Sequence, residues 1–110
     1  VLSASPPELV VMLYDGACRF LRQSAAAMRE GEVERAHNRL RRAELIVAYL
    51  EGAFGHEQGE IAANLHAIYR FCLRHLNEGR RTQDASKLEQ VSDLLGELRK
   101  AWVRVEVAHA

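Results

Sequence analysis

From Val33 to Leu50 the apolar residues fall at Val33, Ala36, Leu40, Ala43, Val47 and Leu50, in steps that alternate between three and four. That spacing keeps all six on one face of a helix with 3.6 residues per turn, and a strand cannot reproduce it. Arg35, Arg39, Arg41 and Arg42 lie mostly elsewhere. A stripe this regular must be buried against other elements, and the rest of the chain supplies three of the same kind.

The first begins at Ser5-Pro6-Pro7-Glu8. Ser5 is placed to cap, Pro6 lacks only an N–H that the first helical turn leaves unused, and Glu8 is placed to close a capping box. A helix over 6–30 follows, stopped by Gly31, with Leu9, Met12, Leu13, Cys18, Phe20, Leu21, Ala25 and Met28 as its apolar positions. The second helix is predicted over 32–53, where Gly52 and Gly55 weaken its end and Phe54 to Gly59 read as a connection. The third, over 60–78, carries Ile61, Leu65, Ile68, Cys72 and Leu76 or Leu73, with Gly79 as its stop. The fourth, over 85–106, repeats Leu88, Val91, Leu94 or Leu95, Leu98, Ala101 or Trp102, and Val105, and Ser86 with Glu89 suits a second capping box. No period-2 run with turn signals occurs. The prediction is all-α: one domain over 1–110, an antiparallel up-down four-helix bundle with short turns. A hydrophobic fraction of 48% is enough for one core at this length.

Fifteen basic residues balance fifteen acidic ones, so net charge gives no reason to expect nucleic acid or an anionic membrane surface as partner. No apolar run is long enough to span a bilayer, and no secretory signal opens the chain. The start at Val1, without Met, predicts a trimmed N-terminus. Cys18 and Cys72 fall on helical stripes and read as buried thiols, inert and unbridged, in a cytoplasmic protein. Glu34-x-x-His37 and Glu106-x-x-His109 match the spacing of di-iron bundles. An up-down arrangement, however, sets the two histidines at opposite ends, roughly 30 Å apart. His56, His66 and His75 form no ligand set, and neither a phosphate loop nor a cysteine pair with metal spacing is present. The expectation is a protein without enzymatic activity and without a cofactor, metal or otherwise.

At Ser5-Pro6-Pro7-Glu8-Leu9, running into Leu13-Tyr14-Asp15-Gly16-Ala17, the chain resembles the opening of the flagellar secretion chaperones of the FliS type. Gly59-Glu60-Ile61-Ala62-Ala63-Asn64-Leu65 with Ile68-Tyr69 is similar to the start of that family's third helix. Leu95-Gly96-Glu97-Leu98, followed by Trp102, is similar to its closing motif. The three marks occur in order over essentially the whole chain. Two departures stand out: the family's further N-terminal residues, with their tyrosine, are absent, and Ala53-Phe54 replaces the usual Leu-Asp.

The resemblance implies a cytoplasmic chaperone that binds the disordered C-terminal segment of flagellin, prevents its premature polymerisation and aids type III export. It also implies the flagellar export gate as a further partner. An unfolded client pays its ordering entropy from the contacts it makes, so the site should be an exposed apolar stripe. Helix two carries a surplus line, Ile46, Tyr49 and Ala53, beside Leu50 of its seam, and helix three offers Asn64, Leu65, Ile68, Tyr69 and Cys72. These nine are the candidate client contacts, with Asn64 suited to bond a client backbone. A thick core produces the same wide stripe, and for Ile46 and Tyr49 both readings stand; Leu65 suits the core better. Tyr14 and Trp102 are expected to serve packing. The competing function is a homo-oligomeric helical adaptor with no flagellin client, its stripe covered by a second copy; a free homodimer would also satisfy it.

Overall fold

The computed structural model describes residues 6–54 and 58–109, and of Glu106 and His109 the backbone alone. The expected Ser5 cap, His56 and the second Glu-x-x-His pair therefore lie outside the described residues or side chains. Four helices make up the described chain: α1 over Pro6–Arg29, α2 over Val33–Phe54, α3 over Glu60–Thr82 and α4 over Ala85–His109. They form a bundle 43 × 29 × 20 Å across. Among the described residues no helix is long and apolar enough to cross a membrane.

Cross-links between neighbours give their directions. Ser24 Oγ donates to the Ala36 carbonyl at 2.6 Å, while a Cβ on Gly16 would stand 3.4 Å from Ile46 Cδ1. Arg29 grips Glu89 through two guanidinium nitrogens, and Arg99 Nε reaches Asp15 at 2.5 Å. Glu44 pairs with Arg80, and Glu51 Oε1 lies 3.3 Å from His66 Nδ1. Gly79 lies against Leu88, and His75 Nε2 is 2.6 Å from Gln90 Oε1. In each pair, numbers climb along one helix as they fall along the other. α1 packs on α2 and α4, and α3 closes the square from the far side.

The second helix buries Ala36, Leu40, Ala43, Val47 and Leu50, as its seam predicts, and leaves Val33 exposed. The first helix differs. Its buried line is Val11, Tyr14, Ala17, Cys18, Leu21 and Ala25, whereas Leu9 and Met12 lie at the surface. The diagonal of the square is bridged by side chains: Tyr14 and Tyr69, both fully buried, share a hydroxyl hydrogen bond of 2.5 Å. Each phenol gives the other a partner, as buried hydroxyls require.

Two helix ends differ from expectation. α3 runs through Gly79 to Thr82 and stops at Gln83, which takes the left-handed conformation at φ 53°. Asp84 N–H then bonds the Gly79 carbonyl at 2.9 Å and Gln83 N–H that of Arg80 at 3.3 Å. This is the Schellman pattern that Gly31 makes at the end of α1. Gly79 is kept small because α4 crosses it: a Cβ there would meet Leu88 Cδ1 at 2.7 Å and the Asp84 carbonyl at 3.3 Å. The Ser86–Glu89 capping box does not form. Asp84 Oδ1 accepts from Ser86 N–H at 3.0 Å and from Ser86 Oγ at 2.5 Å, while Glu89 is held by Arg29.

Candidate functional site

The nine candidate contacts do not share one surface. Leu50, Tyr69 and Cys72 are fully buried in the core, so a client on the folded bundle would not touch them; this corrects their assignment. They sit on inward positions of α2 and α3, where the seam and the surplus line differ by one helical step. Ile46, Leu65 and Ile68 are half-buried and pack against the core. Tyr49, Ala53 and Asn64 are exposed. Of the surplus line on α2, only Tyr49 presents a large apolar surface, at 63% exposure.

Part of the exposed apolar surface gathers on two sides of α2. On the α1 side, Tyr49 joins Leu9, Met12 and Leu13 around a shallow depression. On the other side, where α2 ends, α3 begins and α4 finishes, lies a crevice of about 470 Å³. Phe54, Ile61, Leu65, Leu98 and Trp102 form its body, Ala62 and Ala101 its small-residue stretches, and Gln58 and Val105 complete its lining. None of these residues is charged. The Phe54 and Trp102 rings stand 5.2 Å apart and tilted by 35°, so the aromatic pair ties α2 to α4 across the second diagonal. Ile61 is 79% exposed on the rim.

Several of these residues escape a reading of the sequence. Trp102 was assigned to packing, and it does pack on the core, yet it also lines the crevice. Phe54 reads as part of a connection but is the last residue of α2. Periodicity identifies which residues are apolar on a helix; it does not say where two neighbouring helices leave a gap between their stripes. A large aromatic near the end of an apolar helix, as Phe54 and Trp102 both are, is the one signal available beforehand.

The thiols lie apart from the crevice. Cys72 is fully buried, and burial pushes its thiol up to about 12; burial likewise raises Cys18, whose Sγ donates to the Ser92 carbonyl at 3.5 Å. Both are protonated at neutral pH and free of any disulfide. Among the described residues no group of three or more His, Cys, Asp or Glu stands ready for a metal ion.

Fold and crevice together define a class: a small helical bundle with uncharged apolar surface left over from its own packing. The chain belongs to the FliS family: the family profile described as flagellar protein FliS matches residues 1–109. It is 34% identical over 107 residues to the flagellar secretion chaperone FliS of Salmonella typhimurium, covering 96% of this chain and 79% of that one. Against the flagellar secretion chaperone FliS of Vibrio cholerae identity is 32%, covering 94% and 76%. With that of Bacillus subtilis it is 30%, covering 93% and 76%. The family is one of chaperones, not of enzymes.

Proposed function

We propose that this chain is a cytoplasmic export chaperone whose crevice at Phe54, Leu65 and Trp102 holds the disordered C-terminal segment of flagellin. Held there, the segment is kept from polymerising early and is carried to the type III export gate. The observation that carries this reading is the uncharged crevice itself, where Phe54, Leu65, Leu98 and Trp102 turn one side to the core and leave the other open. Apolar area that the four helices do not need for themselves is what a disordered client requires to offset its ordering entropy. A client segment folding into a helix as it docks would set its apolar residues between α3 and α4, where the lining has no charge to desolvate.

Trp102 is the only tryptophan, so its fluorescence reports on the crevice directly. Titration with a synthetic flagellin C-terminal peptide should change that emission in one-to-one proportion, with a negative heat-capacity change. Ile61→Asp, on the exposed rim, should weaken binding by about tenfold or more. The thermal midpoint should move by less than about 3 °C, because no core contact is removed. Unchanged affinity in this variant, or a peptide that leaves Trp102 emission untouched, refutes the crevice as the seat.

A further inference from the structure

The groove on the opposite flank of α2, between α1 and α2, has a different character and runs from grease to positive charge. Its register is regular: Leu13 lies near Tyr49, Gly16 opposite Ile46, and Phe20 beside Arg42, which places Gln23 opposite Arg39. At the Tyr49 end Leu9, Met12 and Leu13 form the apolar depression. About two turns further along, the guanidinium carbons of Arg19 and Arg42 stand 5.5 and 5.8 Å from the centre of the Phe20 ring, one from each helix. Stacking of this kind holds the arginines in place while leaving their N–H groups free to bond.

Among the described residues, none of these arginines forms an ion pair. No acid occurs in 16–29 of α1 or in 35–43 of α2. The bounding acids, Asp15 and Glu44, are taken by Arg99 and Arg80. Glu30, Glu32 and Glu34 cluster at the α1–α2 turn. Among the described residues Arg19, Arg39 and Arg42 have no carboxylate within 4.0 Å.

We propose that the α1–α2 groove docks an acidic amphipathic segment of a partner protein, its apolar residues on Met12, Leu13 and Tyr49 and its carboxylates on Arg19, Arg39 and Arg42. The surface goes beyond the flagellin reading and does not depend on it, because α2 separates it from the crevice. Charge complementarity selects the occupant: the stretches 16–29 and 35–43 that flank the groove carry arginines and no acid, so a short acidic peptide meets only opposite charge there. From Met12 to Gln23 the groove is about 17 Å long, enough for a helical segment of roughly twelve residues in either chain direction.

A fluorescein-labelled peptide of about twelve residues, with leucine and phenylalanine in one half and three glutamates in the other, is the probe. Anisotropy at about 0.05 M salt should show binding that weakens steeply by about 0.3 M. A version with lysine for glutamate should bind at least about tenfold more weakly. Arg19→Glu with Arg42→Glu, and separately Tyr49→Asp, should each lower affinity by about tenfold or more, whereas Ile61→Asp should leave it unchanged. Arg19→Gln with Arg42→Gln removes charge without reversal; circular dichroism checks its folding, and it decides the matter should the reversed variant not fold. The proposal is overturned by a glutamate peptide that does not bind, by equal binding of the lysine peptide, or by arginine variants that bind as the wild type does. Displacement of the peptide by a short oligouridylate at equal concentration overturns it in favour of RNA.

Discussion

Tyr14 and Tyr69 sit at the centre of the bundle with their hydroxyls joined and their rings fully buried. Burial pushes both phenols above their ordinary range, so each stays a neutral donor and acceptor throughout the physiological span. Tyr14→Phe should therefore cost about 1–3 kcal/mol, because it strands the Tyr69 hydroxyl. Adding Tyr69→Phe should recover part of that loss; urea unfolding of the three variants measures both steps, and a double variant that is the sum of two equal penalties contradicts the pair. Single residues were legible in proportion to how well their spacing marked them. Leu40, Val47 and Leu50 lie on a clean seam and are buried, and Tyr14 is packing, as expected. Leu9 and Met12 are as apolar as any core residue yet lie outside, since helix one carries more grease than one face can hide. Ile46 and Tyr49, which the sequence left open between core and surface, separate cleanly: Ile46 meets Gly16 and is half-buried, and Tyr49 is exposed.

At the scale of elements, existence, order and starts were legible, whereas the ends of helices three and four were not. Helix three passes Gly79 because the glycine serves the crossing of α4 and not a turn; the stop falls at Gln83, a residue with no preference for the left-handed region. Gly79→Ala should destabilise by about 1–3 kcal/mol, since a Cβ would press on Leu88 and on the Asp84 carbonyl. In an open helix the same change stabilises, so its sign in a chemical melt distinguishes close packing from a C-cap. Helix four starts at Ala85, as its pattern predicts, but its cap differs from the expected Ser86–Glu89 box. Asp84 and Ser86 both have capping side chains, and the ion pair from Arg29 draws Glu89 away from the box that the sequence suggests. The surplus stripe of α2 was visible as a stripe; that α1 would share one edge of it and the crevice the other depends on how the neighbours are rotated.

Across the whole molecule, ionisation brackets the pH range in which the bundle is firm. Glu78, Asp84 and Glu89 are held below their ordinary values by hydrogen bonds from Arg81, Ser86 and Arg29 respectively. A lowered folded value adds stability above the unfolded one, and it is lost as pH falls through the folded values, below 3.8 for Asp84 and 4.5 for the glutamates. Burial acts in the opposite direction on Cys72, raised from 9.0 to about 12, and raises Cys18 and both tyrosines. Their protonated forms favour the fold, so stability should fall from pH 9 upward, by about 1.4 kcal/mol per pH unit for each group titrating. Thermal midpoints should be flat near neutrality and decline at both extremes; a midpoint that rises above pH 9 contradicts the assignment. The two proposed binding surfaces likewise belong to the assembled molecule. Periodicity within each segment determined four helices, one core and a surplus of apolar side chains, because side-chain spacing along a helix is a local property. Which surplus residues meet around a crevice, which line up beside unpaired arginines and which are buried was decided by the rotation and crossing of whole helices, and no single segment carries that information.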